Sequence, residues 1–408
     1  MKSTSASRTR RKFLISAAAV VCSAIALLAG ALPAGAAQQG QQGKALAVTL
    51  TTSPVSAVSA GRQAPASVVC APALNQFTRT QRCWLETLTF IFFINGRQVG
   101  HLEVFLVQSI QLNPAAKRRE VLRWTEHDTV VSTVARGRTA PVLATMKASC
   151  DHSCRAVARL HGIIRRGLTG RVDYTDQMRL DEVNQTPSQY ELLAVAPPFA
   201  PLNTAKWHSP LQYRCDNALT GIKGPGCVFR EFTPTLTVSR REFGAAAALI
   251  QWAQVNMSAY WGWQGHGKPL KRLAGRAAID ANRSVICETD FQPFPLWVAE
   301  HGTLEVKDSC DELPFAATYE SGAMRPFGVK TGAACQQVKA VKTSDTGSPA
   351  QIWNAVRPFS KFIRHAAKCV RGHIPITLNV ELGRDRYRAF IGSERLLDTD
   401  PFWLAVTG

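Results

Sequence analysis

Beyond its first three dozen residues the 408-residue chain has no long apolar run. Nothing after that point is built to cross a bilayer as a helix, which takes about 20 such residues. Acidic side chains are scarce, 29 Asp and Glu against 48 Lys and Arg, and the formal charge is +19. A surplus of that size favours polyanionic partners: nucleic acid, teichoic acid or anionic lipid. The cluster Cys150-Asp151-His152-Ser153-Cys154, with His161 nearby, has no complementary second Cys/His pair at a suitable spacing. A zinc site is therefore set aside in favour of disulfide pairing. No helix pattern or base code for reading a groove is present, so any nucleic-acid contact is expected to show little sequence selectivity.

An apolar content of 46% and a mean hydropathy of −0.07 describe a globular chain with room for about two domains. Residues 1–36 read as a signal peptide: a basic start, an apolar run from Phe13 to Leu32, and the small-residue site Ala34-Gly35-Ala36. Thr9-Arg10-Arg11-Lys12-Phe13-Leu14 matches a twin-arginine signal, and export by that route or the general (Sec) route is expected. The expected product is secreted and extracellular, with no stable membrane insertion. Without residues 1–36, 43 basic residues face 29 acidic ones, a charge of +14. Ten cysteines then remain, an even number that suggests up to five disulfides in an exported protein. Candidates include Cys215, Cys227, Cys287, Cys310, Cys335 and Cys369. Cys215 and Cys227 flank a polar, glycine-rich loop and are expected to close it.

Residues 37–66 are rich in Gln, Ser, Ala and Thr and read as a flexible leader. From 67 to 238 strand character dominates, as in an antiparallel sandwich. Trp84–Ile94 is aromatic and β-branched, Asn95-Gly96 marks a hairpin turn, and Val99–Leu112 resumes the strand with the imperfect alternation expected of burial on both faces. Further strands are expected over Glu120–Thr125, Thr129–Val134 and Ala140–Ala148. Residues 239–281 read as a helical connector, opened by the capping box Ser239-Arg240-Arg241-Glu242 and running to about Tyr260. Trp252, Trp261 and Trp263 are expected to serve packing before base stacking. A second capped helix is expected from Ser348-Pro349-Ala350-Gln351, with a solvated basic face at Lys361, Arg364, His365 and Lys368.

The stretch Ser309–Gly322, SCDELPFAATYESG, sets two carboxylates side by side, Asp311 and Glu312, with Glu320 following in a turn. Proline at 314 biases the chain before it toward extended backbone, so the pair belongs at a strand end. Cys310 can tether that end. Adjacent carboxylates call for an arginine or a divalent cation nearby. The stretch resembles the acidic signature of the NucA/NucB-type deoxyribonucleases, roughly Cys-Asp-Glu-Tyr-Pro-Phe-Ala-Ser-Thr. Arg395–Val406 (RLLDTDPFWLAV) is similar to that family's closing Arg-x-x-Asp-Gly-Asp-Pro-Phe segment. Asn379 and Gly383, followed by Phe390, match an element lying between the two. Leu313 and Thr399 depart from the pattern, and the 68 positions from Asp311 to Asn379 suggest an insertion.

The resemblance implies a small α+β nuclease domain over 282–408, similar to a ββα-metal (His-Me finger) core, behind the β-rich domain. It implies Asp311 as base or metal-facing carboxylate, Glu312 as its partner, Asn379 as a metal ligand and Glu320 as a possible second ligand, with Mg2+ or Mn2+ as cofactor. The function implied is a secreted endonuclease of DNA, with RNA as a further substrate. From the residues alone, Asn379 reads equally as a helix cap, and His365 and His373 stand in reserve as bases. Arg384, Arg386, Arg388 and Arg395 suit phosphate binding. The alternatives are a non-enzymatic polyanion- or cell-wall-binding protein with a decayed nuclease domain, and a toxin-like nuclease effector.

Overall fold

A computed structural model describes residues 44–52, 77–117, 121–201, 204–219, 224–293, 306–324, 328–360 and 367–408. The signal peptide, most of the leader, Cys70, and residues 361–366 with His365 lie outside these. The described residues belong to one compact unit of strand-rich α+β architecture. Among them no helix is long and apolar enough to cross a membrane.

Strands β1 (Lys44–Thr52), β2 (Gln81–Ile94), β3 (Arg97–Gln111), β4 (Leu122–Gly137), β5 (Leu143–Ser149), β6 (Arg155–Ala158), β7 (His161–Ile163) and β8 (Thr169–Asp176) open the chain. They are followed by β9 (Val183–Thr186), β10 (Gln189–Val195), β11 (Ala200–Pro201), β12 (Ala205–His208), β13 (Tyr213–Asp216) and β14 (Gly226–Phe229). These make three sheets, in the orders β11-β1-β2-β3-β4-β8-β6, β12-β10-β5-β7 and β14-β13-β9, around one hydrophobic core. The β2–β3 turn is Asn95-Gly96, both at positive φ (50° and 76°), whose local twist matches that of the paired strands. Trp84, Leu88, Phe90, Leu102 and Val104 point inward, but Arg82-Cys83-Trp84 and Leu106-Val107-Gln108 are each buried throughout, so the alternation is imperfect, as expected.

The two strands expected between 120 and 134 are one, β4. The polar run Glu126-His127-Asp128 breaks the apolar pattern in sequence but not the ladder. Gln108 Nε2 donates to Glu126 Oε1 (3.0 Å) and to Asp128 Oδ1 (2.9 Å). Tyr174 and Tyr190 give their hydroxyl protons to Glu126 Oε2 (3.1 and 2.7 Å), and Trp207 Nε1 donates to Gln108 Oε1 (3.0 Å). The network lets two acidic residues sit in the core.

A second hydrophobic core begins at β15 (Thr235–Ser239) and runs to the C-terminal residues. Helix α1 (Arg240–Asn256) buries Phe243, Ala245–Ala248, Leu249, Ile250 and Ala253. A helix apolar over so much of its circumference is a core element, not the connector read from its sequence. Strand β16 (Leu270–Lys271) and β15 flank β21 (Pro401–Thr407), which pairs parallel to β15 from Thr235–Trp403 to Ser239–Thr407. The segment 282–408 therefore shares its sheet and core with residues upstream of 282.

The other sheet has the order β17 (Asp308–Leu313), β20 (Val370–Pro375), β18 (Gln336–Lys342), β19 (Trp353–Pro358). Asp311 stands opposite Gly372 on antiparallel β20. A Cβ at Gly372 would lie 2.0 Å from Leu249 Cδ1, so the bare backbone there lets α1 press on the sheet. The long gap from Asp311 to Asn379 is accounted for by β18, α3 (Pro349–Ile352) and β19, which extend the sheet beyond β20. The Ser348 capping box forms, but its helix stops after α3 and the chain turns into β19. After β20, residues 376–393 form one helical run: α4 (Ile376–Val380), a wide π-helical turn over Glu381–Tyr387, and α5 (Arg388–Ser393).

The two cores are riveted by buried charge. Arg395 is fully buried and donates to both carboxylate oxygens of Asp216, to Pro114 O (2.9 Å) and to Gly224 O (2.7 Å). Arg214 meets both oxygens of Asp400 (2.8 and 2.7 Å). Arg79 reaches Asp400 Oδ2 (3.3 Å), Glu394 O (2.7 Å) and Phe232 O (2.9 Å). Removing one partner of such a set strands the others as unpaired buried charge. Asp400→Asn should lower stability by about 3–5 kcal/mol, read as a shifted denaturant midpoint. Exposed Asp345→Asn should stay within about 0.5 kcal/mol of the parent.

Candidate active site

Strand β17 carries Cys310, Asp311 and Glu312 into contact with the helical segments at 284–288 and 376–380. Alternation along a strand places Cys310 and Glu312 on one side and Asp311 on the other. The Cys287–Cys310 disulfide ties β17 to the π-helical extension (Ser284–Glu288) of helix α2 (Arg276–Arg283). On the other flank, Asn379 Nδ2 donates to Cys310 O (2.7 Å) and Ser309 Oγ (3.2 Å), fastening α4 to the strand. Asn379 lies in the helix's first turn, but Pro375 is the cap residue, so the capping role does not apply. With Nδ2 committed to two acceptors, Oδ1 is the atom left to receive a donor or a cation.

Between α2 and the 376–393 helix lies an opening of about 720 Å3 with β17 as its floor; Asp311, Glu312 and Asn379 border it. The rim adds Arg276, Arg283, Arg384 and Arg388. Asp311 is 6% exposed. Its Oδ1 accepts the Glu312 N–H (3.0 Å), and its Oδ2 is buried with no hydrogen-bond partner. Burial first, and the neighbouring Glu312 charge second, push the Asp311 carboxyl well above the usual range, with Arg283 pulling weakly the other way. Burial also raises Glu312, opposed by Arg283 and by the Ala316 N–H given to Oε1 (3.1 Å). Glu312 Oε2 lies 3.3 Å from the Cys287 sulfur, which has no proton to give while it is in the disulfide. The group Cys287, Cys310 and Glu312 brings three ligand-type atoms together, but the paired sulfurs are not thiolates and do not ligate in this state.

A buried carboxylate oxygen without a donor is costly unless a cation or proton meets it. Asp311 and Asn379, which border the same opening, offer hard oxygens of the kind that Mg2+ and Mn2+ take alongside several waters.

Other expected residues fall elsewhere. Arg395 is at the junction of the cores, saturated by Asp216 and two carbonyls, and cannot reach a phosphate. Glu320 does not border the opening; its Oε2 accepts the Lys271 N–H (2.8 Å) and shapes the turn against β16. Arg386 donates to Thr237 O (3.0 Å). His373 holds Asp308 Oδ2 (2.6 Å) and stacks on Phe291 at 4.4 Å, across the strand's other face from Asp311's partner Gly372. Trp252 and Trp261 pack against the second core, and Trp263 stacks on His266. Cys150–Cys154, Cys215–Cys227 and Cys335–Cys369 are paired, and Cys83 is disulfide-bonded too. The sequence reading missed Arg276 and the rim position of Arg283. The signal was their spacing of seven, two helical turns apart on one face of α2.

No protein-family model matches the chain, nor does any curated protein or solved structure.

Asp311 generates a stability prediction of definite sign. A carboxyl whose folded pKa exceeds its unfolded value of about 3.9 contributes stability below that value and loses it as pH rises through the folded one. In metal-free buffer, Asp311→Asn should therefore unfold at a higher temperature than the parent at neutral pH, with the gap closing toward pH 4. Mg2+ should raise the melting temperature of the parent and not of the variant. A melting difference independent of pH would show that Asp311 is not held as a strained charge.

Proposed function

We propose that this protein is a metal-dependent endonuclease that hydrolyses phosphodiester bonds of DNA or RNA with little sequence selectivity, and that it acts outside the cell. One observation carries the reading. Buried Asp311, one oxygen of which has no hydrogen-bond partner, borders an opening that four arginines also line, and the Asn379 amide is fastened to the same strand. The order of elements supports a ββα-metal type of core: antiparallel β17 and β20, then a helix whose first turn supplies Asn379. Paired disulfides are consistent with an oxidising compartment.

Asp311 and Asn379 would hold the cation. When bound, it supplies charge neutralisation at the phosphoryl oxygen and a lowered pKa for water. The chain's own groups do the rest. Arg276, Arg283, Arg384 and Arg388 bind and orient a phosphodiester at the rim, a role that guanidinium geometry suits. Oδ2 is the Asp311 oxygen left for chemistry, since Oδ1 takes the Glu312 N–H, so Asp311 serves as cation ligand or as proton acceptor and not as both. Glu312 sets the field around it. Arg384 and Arg276 are paired with exposed Asp385 and Asp280, and such pairs are weak enough for a phosphate to displace.

Plasmid cleavage should vanish with EDTA and return with Mg2+ or Mn2+. Asp311→Asn should lower cleavage by roughly two to four orders of magnitude with duplex binding nearly unchanged. Partial rescue by high Mn2+ would assign Asp311 to metal binding, and no rescue to proton transfer. Gln at Arg276, Arg384 or Arg388 should each reduce the slope of log affinity against log salt by about 0.9. Salt-dependent binding without any cleavage would instead favour the polyanion-binding reading.

A further inference from the structure

We propose that the Cys287–Cys310 disulfide covers a thiolate metal site, completed by Glu312, that takes Zn2+ once a dithiol has reduced the bond. The two sulfurs and a Glu312 carboxylate oxygen lie within 4.8 Å of one another. Ligands of a tetrahedral zinc sit about 2.0–2.3 Å from the metal, so their mutual separations are about 3.3–3.8 Å. Glu312 Oε2 already stands 3.3 Å from the Cys287 sulfur. The Ala316 N–H holds the other carboxylate oxygen, so Glu312 is preset with Oε2 toward the sulfurs. Only the sulfur pair has to part.

Access is built in. Cys287 and Cys310 are half-buried, and Cys310 borders the arginine-rimmed opening. Cys215, Cys227, Cys335 and Cys369 are sealed in the cores. The chemistry balances. The disulfide gains two electrons and two protons from the dithiol, which closes to its own disulfide. Metal binding then displaces the two thiol protons to solvent, leaving two thiolates, one carboxylate and an open fourth position for water. That is the ligand count of zinc sites with an exchangeable position. Soft thiolate ligands select Zn2+, whereas the oxygens of Asp311 and Asn379 suit Mg2+ or Mn2+. The two donor sets are adjacent in the chain yet chemically distinct. The zinc site stands independently of the nuclease reading, because it is read by metal uptake.

The test uses the full-length oxidised protein, reduced anaerobically with a dithiol, freed of it by gel filtration, and titrated with Co2+ as a spectroscopic stand-in for Zn2+. Differential alkylation and mass spectrometry identify which thiols are open. The expected result is one Co2+ per chain with a thiolate-to-cobalt charge-transfer band that Zn2+ abolishes. The oxidised protein, and Cys287→Ser/Cys310→Ser treated identically, should show no band. Glu312→Gln should keep the band but weaken Co2+ affinity at least about tenfold, since even outer-sphere changes cost that much. No band when both thiols are demonstrably open would overturn the proposal, as would a band that survives in the double serine variant. Loss of the circular-dichroism spectrum on opening this one bond would also overturn it, because the ligands would then be held by the bond and not by the fold.

Discussion

The buried arginine–aspartate lattice between the two cores is the constraint on which the rest of the molecule hangs. Three guanidinium groups and two carboxylates are taken out of water together and paired with one another across the two cores. Buried ion sets of this kind are poor sources of net stability and good sources of registry. Here the registry matters because Arg395 follows directly on the helical run that begins at Ile376. One end of that run is fixed to β17 by Asn379, and the other is fixed to the β-rich body through Asp216. The pose of the helix over the acidic floor is thus set from both ends.

At the site itself the electrostatics oppose folding locally. Asp311 and Glu312 are adjacent, buried, and raised in pKa by the same desolvation. A sequence optimised for stability would place an apolar residue or a partnered amide there. Arg283 alone among the rim arginines offsets the pair, weakly, and Asp311 Oδ2 is left buried without a hydrogen-bond partner. The contrast with Glu126 and Asp128 is instructive, since that acidic pair is equally buried but wrapped by Gln108, Tyr174 and Tyr190. Each pair leaves one buried oxygen without a partner, Asp311 Oδ2 and Asp128 Oδ2, and of the two only Asp311 borders the arginine-lined opening.

Much of this was legible in the residues. The Asn95-Gly96 turn, the Cys215–Cys227 loop and the strand placement of Asp311 and Glu312 follow from local chemistry, which tertiary contacts do not override. The position of Asn379 in a helical first turn was also readable. What could not be read was whatever depended on partners distant in sequence. Arg395 and Arg388 look alike on paper; one is locked to residues near 216 and the other borders the opening. Glu126 and Asp128 looked like a break between strands because their donors come from three other strands. The Ser348 capping signal formed as written, yet pairing with β18 turned the following residues into a strand. Helix α1 reads as a connector in sequence because its alanine-rich run is apolar without being periodic.

Strand β21 carries a consequence for how the protein comes into being. It is the central strand of its sheet, between β15 and β16, yet both of its partners precede it in the chain by more than a hundred residues. A ribosome delivers residues in order, and a central strand has no stand-in. The second core therefore stays unsealed until β21 has emerged. A nascent chain that has reached only Gly322 carries the acidic pair without the frame that aims it. The architecture ties maturation of the site to one late event, the docking of the seven-residue β21.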